Sequence, residues 1–179
     1  NQTLFDPRCV YDSAQDRWII SAEAFQESAT VQRQFVAVSK TSDPLGSYNI
    51  YNGDVNFKNN NDFWDFPQLG VDNKSIIITA NIFGRVSYRE TRMVVADKFR
   101  LYNGLSASIK LFTGLDGTLA PPIVLDNNNK TFLVAAALLS CKKEENKVFF
   151  QGGTAPVLST STATDMVLDS TNAAKTTAL

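Results

Sequence analysis

The side chains able to do chemistry in this chain are carboxylates, because histidine is absent and cysteine occurs twice. Without an imidazole there is no Ser-His or Cys-His nucleophile pair and no histidine-containing zinc site, and two thiolates fall short of the four that an all-cysteine zinc site needs. No phosphate loop of the GxxxxGK type is present. Asp6, Asp65 and Glu23 are the candidate catalytic residues: Asp6 and Asp65 open two extended hairpins, and Glu23 lies inside a strand. Carboxyl groups of this kind can divide the acid and base roles of glycoside hydrolysis. The plainer role for Asp6 and Asp65 is to accept hydrogen bonds from neighbouring backbone amides. Asp62, Asp65 and the run Asn59-Asn60-Asn61 offer hard oxygen ligands, so Ca²⁺ is the metal their chemistry suits, although no loop has EF-hand spacing. No other cofactor is expected. Trp64 and Asp62, in a polar loop, are the candidate ligand-binding residues, whereas Trp18 is expected to fill the core.

The elements that position these residues repeat. One copy reads Asp6-Pro7-Arg8-Cys9-Val10-Tyr11-Asp12, a polar turn, then Arg17 to Phe25. The second reads Asp65-Phe66-Pro67-Gln68-Leu69-Gly70-Val71-Asp72, a turn, then Ser75 to Phe83. A looser third reads Pro121-Pro122-Ile123-Val124-Leu125-Asp126, an Asn-rich turn, then Thr131 to Leu138. Asp12, Asp72 and Asp126 precede the turns, where a side-chain oxygen can satisfy backbone donors two residues on. Further extended segments follow each hairpin, at 34–38, 92–96 and 147–150 and again at 47–51, 108–112 and 156–158. They are rich in Val, Ile, Phe and Tyr and separated by Asn, Asp, Gly and Pro, the composition of strands and turns. No segment sustains a 3.6-residue apolar period with a helix cap.

Four short strands recurring about every 54 to 60 residues, against roughly 40 to 50 for common blades, predict an all-β chain built as a β-propeller. The expected parts are blade 1 at 1–58, blade 2 at 59–113, blade 3 at 114–158, and at 159–179 the start of a further blade or a ring-closing strand. A lone four-stranded sheet leaves both faces and both edges unsatisfied, so blades stack around an axis. Three blades do not close a ring; other blades or another chain must complete it.

Composition narrows the partners. With 44% hydrophobic and 20% charged residues the chain has the make-up of a folded domain. A formal net charge of −1 without Lys/Arg clusters argues against nucleic acid. The longest apolar run, 132–139, is far short of the roughly 20 residues that span a bilayer. A first residue other than Met points to a processed chain or a fragment. Cys9 and Cys141 suit either one disulfide or two buried thiols. Asn1, Asn73 and Asn129 head N-x-S/T sequons and are the candidate glycosylation sites, a mild pointer to secretion.

Asp6-Pro7 through Val10-Tyr11-Asp12 with Trp18-Ile19-Ile20-Ser21-Ala22, then Val36-Ala37-Val38-Ser39 and Thr41 to Tyr48, resembles a group of secreted β-propeller proteins of the sialidase and arabinanase type. Asp65 to Asp72 with Thr79-Ala80-Asn81-Ile82-Phe83 is similar to the same group, the likeness covering roughly the first 110 residues. Ser42-Asp43-Pro44-Leu45-Gly46-Ser47-Tyr48 is close to that group's Asp-box turn, with one extra residue before a Gly expected at positive φ. The resemblance implies part of a larger ring in an extracellular or cell-surface setting. The expected function is a non-enzymatic binding or assembly module for a glycan or protein partner, with part of a glycoside hydrolase as the alternative. Leu119-Ala120-Pro121, where the third repeat lacks an acid, counts against the alternative.

Overall fold

The computed structural model describes residues 3–115, 117–126 and 130–136, and the strand backbone at 148–151, 164–169 and 175–178. Asn1, Asn129 and Cys141 lie outside the described residues, and with Cys141 goes the pairing of Cys9, which is exposed on the first strand.

The fold is nearly all β. β1 (Leu4–Asp12), β2 (Arg17–Ala24), β3 (Arg33–Ser39) and β4 (Tyr48–Asp54) form sheet 1, an antiparallel meander. β5 (Phe63–Val71), β6 (Ser75–Phe83), β7 (Tyr88–Asp97) and β8 (Ile109–Leu115) repeat it as sheet 2. A one-turn helix, α1 (Lys98–Tyr102), interrupts the β7–β8 link, capped by Asp97, whose side chain accepts from the Arg100 amide; the sequence pattern is too short to announce it.

The third repeat departs from expectation. β9 (Thr118–Ala120) pairs with β11 (Leu133–Ala136), which pairs with β12 (Val148–Gln151), while β10 (Lys130–Thr131) joins β13 (Thr164–Asp169) and β14 (Lys175–Ala178). The strand partner thus comes from before Pro121 rather than after it, since a proline cannot donate to the ladder.

The first two repeats match residue for residue. Ser21 pairs with Arg8 and Thr79 with Gln68, Glu23 with Phe5 and Asn81 with Asp65. The expected turn chemistry is present: Asp12 Oδ1 accepts from the Ala14 amide at 3.1 Å and Asp72 Oδ1 from the Lys74 amide at 2.8 Å. In the Asp-box-like turn Asp43 Oδ1 accepts from Leu45 N–H. Gly46 is needed there for space rather than positive φ, because a Cβ would sit 3.1 Å from the Asp43 carbonyl oxygen.

Burial distinguishes the two sheets. β6 is covered on both faces, Ser75 to Ile82 all being buried, so the run Ile76-Ile77-Ile78 shows no alternation of apolar and polar residues. Its Ile76, Ile78 and Ala80 join Val10, Ile19 and Val38 of sheet 1 in one core. Its Ile77, with Met93, meets Leu119, Leu133 and Ala135 in a second. β2 alternates, with Ile19 fully buried and Ile20 37% exposed, because sheet 1 is covered on one face among the described residues. β5 also lies against the chain after β9: Val71 donates to the Pro122 carbonyl and accepts from Val124, and a Cβ on Gly70 would fall 2.6 Å from the Pro122 oxygen. Gly70 is what allows this approach.

A buried polar clamp ties the turn ends together. Lys98 Nζ donates to Asp12 Oδ2 at 2.9 Å and to the Asp72 carbonyl at 2.5 Å, Tyr102 Oη donates to the same Asp12 oxygen at 2.6 Å, and Thr131 Oγ1 donates to Asp72 Oδ2. Burial, then the Asp12 contact, hold the Tyr102 hydroxyl's pKa well above its ordinary value. Removing one partner of a buried ion pair strands the other charge, so Lys98→Met is expected to cost about 3 kcal/mol. Urea unfolding checks it; a loss under about 1 kcal/mol, the worth of an exposed pair, contradicts the clamp.

Candidate functional site

At the opposite end of the same strands the ladder is broken twice. Register slips between Phe5 and Arg8 on β1 and between Asp65 and Gln68 on β5. Each slip contains a proline, Pro7 or Pro67, that has no N–H for the ladder, and each proline follows a residue at positive φ: Asp6 at 46° and Phe66 at 57°. Such bulges re-aim side chains, and non-glycine residues at positive φ store strain of about 1–3 kcal/mol each. Arg8 braces the second bulge. Its Nε donates to the Pro67 carbonyl at 2.9 Å and its guanidinium lies 5.6 Å from the Phe66 ring centroid.

The two bulges bring Asp6 and Asp65 to Glu23, with one carboxylate oxygen from each within 4.8 Å of the others. Aligned on the prolines, Asp6 corresponds to Phe66, not to Asp65; the acids meet because they occupy different places in their bulges. Asp6 and Asp65 are half-buried, and Asp65 Oδ1 accepts from the Phe66 amide at 2.9 Å. Glu23 is fully buried, and neither of its oxygens has a hydrogen-bond partner among the described residues. Burial pushes its carboxyl up to about 8, with the Asp65 and Asp6 charges adding to the rise. The nearby Phe66 amide and the Arg8 charge oppose it only in part.

The matching position in sheet 2 shows how the fold settles this place when nothing more is required. Asn81 donates through Nδ2 to Thr118 Oγ1 at 2.9 Å and accepts from Thr91 Oγ1 at 3.1 Å. Thr79, matching Ser21, donates to the Leu119 carbonyl at 2.5 Å. Ser21 Oγ, buried like Glu23, has no such partner. An unsatisfied buried polar group costs about 1–3 kcal/mol, and a charged one more.

Aromatic rings border the acids. Phe5, the direct cross-strand partner of Glu23, packs 4.7 Å from Phe25 and 6.3 Å from Phe63, and Phe25 is 57% exposed. This is where an aromatic face is offered, together with exposed Phe66. Trp64, expected to serve a ligand, is instead buried, its indole donating to Gln34 Oε1 at 3.0 Å and its backbone amide and carbonyl both bonded to the Gln32 side chain. Trp18, expected in the core, lies half-buried beside Tyr11 and donates to the Ser42 carbonyl.

Asp62 is likewise occupied. Its carboxylate faces Arg92 at 3.1 Å and Arg89 at 3.2 Å, and Arg92 also pairs with Glu90 at 2.7 Å. The adjoining asparagines close their own loop, Asn56 Nδ2 donating to the Asn60 carbonyl and Asn60 Oδ1 accepting from the Asp62 amide. Of the Ca²⁺ ligands expected here, Asp62 and Asn60 are therefore spent internally. Asn73 is half-buried in the β5–β6 turn.

An acid that protonates a substrate must touch it, and Glu23, the carboxyl best tuned for that task, is fully enclosed. One oxygen of each acid lies within 4.8 Å of the others, closer than the roughly 6.5–9.5 Å of an inverting pair and near the roughly 5–5.5 Å of a retaining one, so enclosure rather than spacing counts against hydrolysis. Three converging oxygens suit a single cation better. No protein-family model, curated protein or solved structure matches the chain.

A carboxyl raised from 4.5 in the unfolded chain to about 8 makes the folded state the better proton binder between those values. Stability in chelator-containing buffer should therefore fall as pH rises from about 4.5 to about 8, with a slope approaching roughly 1.4 kcal/mol per pH unit. Glu23→Gln should flatten that limb. Urea midpoints at several pH values check both, and an unchanged profile in the variant contradicts the assignment.

Proposed function

We propose that the chain is a run of three blades of a β-propeller that acts as a binding and assembly module. The observation that carries this is the uncovered apolar face of sheet 1. Tyr11, Ile20 and Ile50 are 38%, 37% and 70% exposed, whereas Val71 and Ile78, which match Tyr11 and Ile20 in sheet 2, are 1% and 5% exposed because sheet 1 covers them. By that equivalence the occupant of the open face is a further four-stranded sheet of the same repeat, from the remaining blades or another chain.

Radial stacking agrees with other features. β1 packs on β5 and β5 on β9, and Val71 bridges Ile123 in parallel, as neighbouring inner strands of a ring would. Farther out the sheets part around an apolar cavity of about 250 Å³ lined by Val36, Tyr51, Ile78, Val94 and Ile109, the wedge that splayed blades leave. Among the described residues no helix is long and apolar enough to cross a membrane. The exposed rings of Phe25 and Phe66 offer a stacking surface for a glycan partner. The resemblance to secreted propellers of the sialidase and arabinanase type, and the Asn73 sequon, favour an extracellular setting.

Edge-to-face satisfaction by other copies is the expected fate of the isolated chain. Light scattering of residues 1–179 should show self-association that Ile20→Glu with Ile50→Lys reduces to monomers. A well-behaved monomer before substitution contradicts the reading.

A further inference from the structure

We propose that Asp6, Glu23 and Asp65 together hold one divalent cation of the hard, oxygen-liganded class, Ca²⁺ foremost, at the junction of sheets 1 and 2. Two oxygens bound to one Ca²⁺ at 2.3–2.6 Å lie at most roughly 5 Å apart, and one oxygen from each residue is already within 4.8 Å of the other two. Three acids with soft ligands absent select calcium-like ions over zinc or copper.

Clustering alone would not single out this place; the state of Glu23 does. It is fully buried, aimed into the cluster, and unpartnered at both oxygens. Ser21, on the same face of β2 two residues earlier, is a second buried side chain with no hydrogen-bond partner among the described residues. The repeat supplies the control, since Asn81 and Thr79 at the matching positions are neutral and hydrogen-bonded. Arg8, whose charge acts on Glu23, is committed to the Pro67 carbonyl and the Phe66 ring. A bound ion answers the desolvation of Glu23 and the mutual repulsion of the three acids at once. Because its ligands come from β1, β2 and β5, it also pins one sheet to the next and secures the two strained bulges. The inference does not depend on ring closure.

The test uses the whole chain stripped with a chelator and titrated at constant ionic strength with CaCl₂, MgCl₂ or MnCl₂ to about 10 mM, which covers the weak end of calcium sites. The melting temperature should rise with Ca²⁺ by about 3–8 °C, the shift expected of a site well above half-saturation in a chain of this size. Tb³⁺ should give luminescence sensitised through neighbouring Trp64. Both signals should vanish in Glu23→Gln and Asp65→Asn. Glu23→Gln should also melt higher than the stripped wild type, which shows that its lost response is not misfolding. No shift with any of the three ions, an undiminished shift in both variants, or cation-free turnover of aryl glycosides lost in Glu23→Gln would each overturn the proposal.

Discussion

Sheet 2 can be buried on both faces only because sheet 1 lies on one side and β9 with β11 on the other, and both cores depend on that stacking. A four-stranded sheet must bury its apolar face against another layer. Here Ile76 and Ile78 find Val10, Ile19 and Val38, and Ile77 finds Leu119 and Leu133. The clamp of Lys98, Asp12, Tyr102 and Asp72 fixes the sheets at the turn end. At the opposite end the Gln32 side chain holds the Trp64 backbone and Gln34 its indole, while Glu23 beside them meets two further acids.

That asymmetry separates architecture from function. At the clamp, polar groups are buried and paired. At the acid end, prolines force bulges, Asp6 and Phe66 take positive φ, and a carboxyl is enclosed without a hydrogen-bond partner among the described residues. Strain and unsatisfied charge cost stability and persist where surrounding structure holds them in place. The same repeat in sheet 2 avoids the cost with Asn81 and Thr79, so the fold as such does not require it.

Much of this was legible in the residues and some was not. The hairpins, their Asp12 and Asp72 turns and the all-β class follow from β-branched runs separated by turn formers. Asp6, Glu23 and Asp65 were identifiable as candidates, but their convergence was not, because a bulge shows itself in strand pairing rather than in composition. The pairing of Asp6 with Asp65 as repeat equivalents ignored the extra residue before Pro67. The two tryptophans exchanged roles for a related reason: alternation along β2 or β5 tells that one face is buried, not which face has a neighbour. Phe25, the most exposed ring of the aromatic cluster, carries no sequence signal beyond following Ala24. The third repeat was harder still, since its strand partner precedes the proline that marked it.

The central claim is that successive sheets stack face to face, the Ile19 face of sheet 1 against the Ile76 and Ile78 face of sheet 2. Methyl–methyl nuclear Overhauser contacts in a chain labelled at Ile, Leu and Val measure this directly. The account predicts cross-peaks joining Val10, Ile19 and Val38 to Ile76 and Ile78, and a separate set joining Ile77 to Leu119 and Leu133. Cross-peaks confined within each sheet, with none linking sheet 1 to sheet 2, would contradict it.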